Sequence, residues 1–460
     1  MSNDLSFTGL FWLPNNEDGK IPGTLTFDQA KGTILTLLGG FQEFGNAEHF
    51  QPVIINGFTS SGKKLTLYKC FELNRSFSAP GMATSKIKCR FLFVGATFNN
   101  ESDIVFNKLC VKLKNLDEWI GISGLEFNKN FIDKPYVIKY TIPDTINFTI
   151  PGFKASFNFN PEYPSISIYN KKLSIGQRVQ FVIETKEGEN DSFDNFSKKM
   201  FAFQMFLTIA THSPSFPEEI IYYSSSLNTE YEGKTVFPDE IRLYYINTIK
   251  QTADEFDYLD ILFRYSDITE NFGHIIKTWY ENQENLVSIL GLFLQDYFKP
   301  GPFDENRFIN IARALEIFHR KFFSNEVLSK DDQKERLKDI CNNVPEKHQN
   351  WLKQKLAFSN EPSLKERIEE LLRIFNNNVL KKIIKEENIF FNNIRDNRNY
   401  YTHYNPDLQN KVLKGGELYY LTERMKVLLT CCILEKMNID KNIVEKILER
   451  YDYRLVYHLM

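Results

Sequence analysis

Polar and apolar residues alternate over short stretches through the first half of the chain, and apolar residues recur three and four positions apart through the second. The stretches GTLTF (Gly23 to Phe27) and TILTLLGGF (Thr33 to Phe41) flank the turn-like DQAKG, and PVIINGF and KLTLYKCF flank TSSGK, so each pair predicts a β-hairpin. KCRFLFVGATF, YVIKYTI, INFTI, ASFNFN, SISIYN and RVQFVIET continue at short spacing, punctuated by Gly, Pro and Asn. One helical signal interrupts them, from about Ser192 to Thr211, before EEIIYY, KTVF and EIRLYYINTI return to the strand pattern. From about Phe256 the period becomes helical, as in ENFGHIIKTWYENQENLVSILGLFLQDYF, DENRFINIARALEIFHRKFF and GELYYLTERMKVLLTCCILEKM, each with charges opposite an apolar face. The reading is α+β: a β-rich, sandwich- or barrel-like domain over residues 1–250, then an all-α helical bundle over 251–460 whose core spans about 303–440. In the last long helix, Leu418, Leu421, Met425, Leu428 and Cys432 form a stripe that is either core or a self-association seam.

At 460 residues the chain exceeds what one hydrophobic core fills, in keeping with two domains. A net charge of −3 removes any global electrostatic case for coating nucleic acid, so an RNA contact has to be local. The six cysteines form no CxxC pair, and MSNDLSF lacks the basic and apolar regions of a secretory leader. A reducing cytoplasm is expected, and the abundance of Phe, Asn, Ile, Lys and Tyr suits an AT-rich bacterial genome. The most apolar runs, such as Met425 to Leu434, are too short to span a bilayer.

Two chemical signals fail on physical grounds. Gly57 to Lys64 has the glycine spacing of a phosphate loop, but Lys64 stands where a Mg²⁺-binding hydroxyl is needed, and a strand-like stretch follows instead of a helix. A hairpin turn is expected there. His348 seven residues after Cys341, and adjacent Cys431 and Cys432, do not give the spacing of a tetrahedral metal site; no metal or other cofactor is expected.

The polar stretch NIRDNRNYYTHYNPD, from Asn393 to Asp407, places His403 five residues after Arg398. With 16 arginines and seven histidines in 460 residues, an Arg followed by His at such spacing arises by chance about 0.7 times, so spacing alone is weak. A second pair, Arg313 and His319, lies in an apolar helix, where a histidine serves packing. Around Arg398 polar density is higher, and Pro406 pushes Asn405 out of helical dihedrals, so the helix should end near His403. Positions five apart differ by about 140° on a helix, whereas Asn399 and His403 share a face. Bringing Arg398 and His403 into one cleft therefore predicts that the helix frays or turns before His403.

RNYYTHY resembles the signature of HEPN domains, and looks most like the HEPN domain of ApeA-type anti-phage proteins. ALEIFHRKFF, with Glu316 in the acidic position, resembles that branch too, and GLFWLP (Gly9 to Pro14) followed by PGTLTF resembles the ApeA N-terminal domain. The resemblance implies abortive infection: a metal-independent endoribonuclease that cuts host RNA, with tRNA one candidate, once the β-rich domain senses a phage component. It implies Arg398 and His403 as catalytic, with Glu316 and Asn399 in support. Imidazole suits proton transfer, and a guanidinium offers the phosphate a planar fork of donors. Tyr400, Tyr404 and Arg395 are candidate RNA contacts, although at least two of Tyr400, Tyr401 and Tyr404 should pack the helix end. One histidine per chain falls short of an acid and a base, so a homodimer or higher even oligomer through the HEPN domain is implied. The rival is a non-catalytic HEPN-like scaffold or adaptor that binds a nucleotide or protein partner.

Overall fold

The computed structural model describes residues 5–42, 51–77, 80–127, 137–167, 169, 171–231, 234–246, 261–298 and 301–459. The chain divides into two units near residue 260, the first β-rich and the second helical.

Six antiparallel strands close a barrel in the first unit. They are β1 (Leu5–Trp12), β2 (Ile21–Asp28), β3 (Gly32–Leu38), β4 (Ile54–Thr59), β5 (Lys64–Ser76) and β6 (Thr84–Val94). The pairings β1–β2, β2–β3, β3–β6, β6–β5, β5–β4 and β4–β1 complete the circle. Alternation explains the filling: Leu25 and Phe27, Leu35 and Leu37, Leu65 and Leu67 turn inward at every second position. Phe11 is paired with Gly57, and a Cβ on that glycine would lie 2.5 Å from the Phe11 ring. Here glycine makes room for a neighbouring ring. The phosphate-loop-like segment is the β4–β5 turn, with Gly62 at φ +82° and its N–H donating to the Thr59 carbonyl.

At Arg90 the free edge of β6 changes partner. Thr84–Cys89 pair with β3, while Phe91–Val94 pair with the strand Ile241–Tyr245. The sheet continues through Pro217–Tyr223, Lys108–Leu113, Lys172–Thr185, Phe153–Ser167 and Ile146–Ile150, making twelve strands in all. The expected sandwich or barrel is thus a barrel with a sheet extension. Helix α1 (Phe193–Thr211) starts where Ser192 Oγ accepts the Asn195 N–H, and lies against this extension. Phe203 meets Phe181 at 4.2 Å, Phe196 meets Phe153 at 5.0 Å and Phe206 meets Trp119 at 5.6 Å between ring centroids. The two short strands expected at ASFNFN and SISIYN are one, Phe153–Ser167; a register shift between Glu162 and Ser165 accommodates the intervening prolines.

In the second unit, α2 (Glu305–Phe322) packs against α3 (Leu364–Ile374), α4 (Glu387–His403) and α5 (Gly415–Lys436), and α6 (Lys441–Leu459) closes the bundle. Asp304 caps α2, and Ser363 with Glu366 forms a capping box at α3. The long helix expected before residue 300 is broken into Phe272–Glu281, Gln283–Phe293 and Gln295–Phe298, with Asn282 folding its side chain back onto the Thr278 carbonyl. The stripe Leu418, Leu421, Met425, Leu428 and Cys432 is at most 2% exposed, so it is core within one chain.

Candidate functional site

The site is built on the C-terminal end of α4, a helix held from within. Asn397 is fully buried; its Nδ2 donates to the Asn393 carbonyl at 2.7 Å and its Oδ1 accepts the Leu413 N–H at 2.8 Å. One turn on, the Tyr401 hydroxyl donates to the Leu413 carbonyl at 2.8 Å. Both backbone groups of Leu413 are therefore satisfied by α4, which fixes the end of the loop that follows the helix. Lys411 and Lys414, both exposed, flank that anchored residue. The i, i+4, i+8 spacing of Asn393, Asn397 and Tyr401 was the sequence signal for one shared face, although not for its partner.

Arg398 and Asn399 are half-buried, whereas His403 is exposed. Arg398 Nη2 lies 3.7 Å from Glu316 Oε2 on α2, and Nη1 makes a long 3.4 Å hydrogen bond to Asn399 Oδ1. Glu316 is itself held: its Oε1 accepts from both Nε and Nη2 of Arg320 at 3.2 Å. Arg320 Nη1 is also paired with Glu361 at 2.6 Å, so Glu316 is held from one side by Arg320 while its second oxygen faces Arg398.

α4 remains helical through His403, which corrects the expected fraying before that residue. Tyr404, in the left-handed region at φ 50°, returns its N–H to the Tyr400 carbonyl and stops the helix cleanly. Pro406 acts one residue too late to unwind it: Asn405 is extended and accepts the Asp407 N–H in a side-chain turn. On this unbroken helix Arg398 and His403 are separated by about 140° and about 7.5 Å of rise, so one chain does not bring them to the same point.

The tyrosines divide by burial. Tyr401 is buried beside Phe308, Tyr400 is half-buried, and Tyr404 is 67% exposed, with its ring centroid 5.5 Å from that of Tyr400. Arg395 is exposed and paired with Asp396 at 2.8 Å, which raises its pKa. The second Arg and His pair is not brought together for chemistry. Arg313 is exposed, while His319 is fully buried, with Nδ1 2.9 Å from Arg367 Nη1 and Nε2 2.8 Å from Glu370 Oε2. An arginine donates only, so His319 carries its proton on Nε2 and gives that hydrogen bond to Glu370. Burial, opposed by Glu370 and reinforced by Arg367, lowers the His319 pKa and keeps the ring neutral.

A barrel-bearing sheet domain followed by a helical bundle, with a polar Arg-and-His helix end braced by a glutamate, defines a two-domain protein of the HEPN class. The family described as ApeA N-terminal domain 1 matches residues 6–279, and the Apea-like HEPN family matches residues 309–443. The chain belongs to the ApeA family, whose domains serve anti-phage defence, and HEPN domains are in general RNases that often dimerise. No curated protein and no solved structure matches the chain. No helix among the described residues is long and apolar enough to cross a membrane.

Proposed function

We propose that the helical unit is an endoribonuclease acting through the ribose 2′-hydroxyl, within a defence protein of the bacterial cytoplasm. The observation that carries this reading is the end of α4: Arg398 is braced by Glu316, and His403 stands exposed on a capped helix terminus. His403 takes the 2′-hydroxyl proton, the 2′-oxygen attacks phosphorus and the bond to the 5′-oxygen breaks. A second imidazolium protonates that leaving oxygen, and the product is a 2′,3′-cyclic phosphate. Arg398 donates to the non-bridging oxygens, on which charge builds in the transition state. This sequence of proton transfers requires no metal ion.

The separation of Arg398 and His403 on one helix supports a composite site, with a second copy of the chain contributing its own end of α4. Charge distribution agrees with RNA at this end: residues 301–460 carry 28 Lys and Arg against 24 Asp and Glu, whereas residues 1–300 carry 28 against 35. The β-rich unit is read as the sensor of a phage component. It has a cavity of about 630 Å³ bordered by Lys112, Arg178, Glu218, Glu219, Arg242 and Tyr244, a polar lining suited to a charged ligand.

The test compares RNA from cells that express wild type, His403→Ala or Arg398→Ala under phage challenge. Fragments with 2′,3′-cyclic phosphate ends, lost in both variants, are expected, and tRNA is the first pool to inspect. Intact RNA in all three, with partner binding retained, would establish the scaffold reading instead. Ends bearing a free 3′-hydroxyl would overturn the mechanism.

A further inference from the structure

Between α2 and α3 the chain forms two helices, Lys330–Asn342 and Glu346–Lys355, and the second buries no residue. Its inner face is nevertheless defined. Gln349, Leu352 and Leu356 are half-buried, and Gln349 Nε2 donates to the carbonyls of Cys341 and Val344 at 3.1 and 3.2 Å. Trp351 lies two positions from Gln349, hence about 200° round the helix, on the side facing water. It is 59% exposed, whereas Trp12, Trp119 and Trp279 are all buried. Packing this indole inward would turn Leu352 and Leu356 outward, so its exposure follows from the helix register.

Lys347 and Lys355 stand one turn before and one turn after Trp351 on the same face, at axial steps of about 6 Å. Both are exposed, and no Asp or Glu occurs from Lys347 to Asn360, a stretch that also contains Lys353 and an exposed Phe358. An aromatic plate between two cations, with Glu346 the one acid of its helix and set off the Trp351 face, has the chemistry of a single-strand platform: stacking on a base and neutralising the phosphates on either side.

We propose that the Lys347, Trp351 and Lys355 face binds single-stranded RNA and presents it to the helical unit. The inference rests on RNA being the substrate class. A symmetric second copy is a poorer occupant, because a two-fold contact would set these lysines against their own counterparts.

The test uses the full-length His403→Ala protein, so that RNA survives, with an oligouridylate of about 12 nucleotides as probe. Emission from the exposed tryptophan should quench saturably as the oligomer binds. Anisotropy of a labelled oligomer should show affinity about tenfold weaker in Trp351→Ala and within about threefold in Trp351→Phe. Lys347→Glu with Lys355→Glu should reduce the salt dependence by about two phosphate contacts. Binding that leaves the emission and the Trp351→Ala affinity unchanged overturns the proposal. So does a Trp351-dependent dimer that forms without RNA, or a Trp351-dependent complex with an acidic protein in place of RNA. If wild type still yields cyclic ends, only this surface is refuted; if wild type cuts no RNA, the nuclease reading itself goes.

Discussion

Replacing Asn397 by leucine removes one buried side chain that works in two directions. Leucine fills nearly the same volume but offers no acceptor, so the Leu413 N–H, bonded at 2.8 Å in the native structure, loses its partner. An orphaned buried donor costs about 1–3 kcal/mol, and the lost bond to the Asn393 carbonyl about 1 more. That carbonyl still accepts within α4, so the second loss is only a net hydrogen bond. A total near 3 kcal/mol is a large share of the stability of a single unit. Because the chain has two units, a global unfolding curve would mix them, and the informative measurement is hydrogen exchange at the Leu413 amide. Protection there should fall by about a hundredfold, and RNA cleavage should fall with it as the loop that follows His403 loosens. Tyr401→Phe, which removes only the hydroxyl bond to the Leu413 carbonyl, should give a smaller drop, near 1 kcal/mol. Unchanged Leu413 protection in Asn397→Leu would refute the view that α4 anchors this loop.

Three further outcomes are expected. Glu316→Gln keeps the side-chain length but releases the charge that braces Arg398, so kcat for RNA cleavage should fall about ten- to a hundredfold with little change in KM, read in single-turnover assays. His319→Ala removes one acceptor from the buried Arg367, whose Nη1 keeps Asn325, and should cost about 1–3 kcal/mol of helical-unit stability in urea melts, with cleavage per folded molecule unchanged. Burial raises the Asp117 pKa from 3.8 to about 6 against the opposing Val179 N–H bond. A carboxyl that holds its proton more tightly when folded stabilises the fold as pH falls from about 6 toward 4, and that stability is lost as pH rises through the same window. Asp117→Asn should therefore stabilise the β-rich unit by about 1–2 kcal/mol at pH 7.5 and flatten its pH dependence between 4 and 6 in denaturant melts.

Alternation along the chain revealed the strands of the barrel because each turns one face to a common core, and that information is local. Closure was not local. The partners of β6 change at Arg90, and β1 meets β4 across more than forty residues, with the glycine opposite Phe11 the only hint in the text. The prolines near Glu162 suggested a break because a proline removes a ladder donor, yet a bulge absorbed them. Asn282 gave the opposite error: its side chain competes with the helix ladder over a single turn, which periodicity averages away.

At the site, residue type and context made Arg398, Glu316 and His403 candidates, and their geometry turned on one residue. Tyr404, by taking a left-handed conformation, caps α4 directly after His403 and leaves the proline nothing to unwind. A frayed helix would have let one chain gather imidazole and guanidinium together; a capped one holds them on different sides of the same rod. The consequence is testable in mixed dimers. If the composite site draws one imidazole from each chain, a heterodimer of wild-type and His403→Ala chains keeps only one of the two and should cleave far below half the wild-type rate. Cleavage at half the wild-type rate or more in that heterodimer would mean that each subunit works alone, against a site shared between two copies.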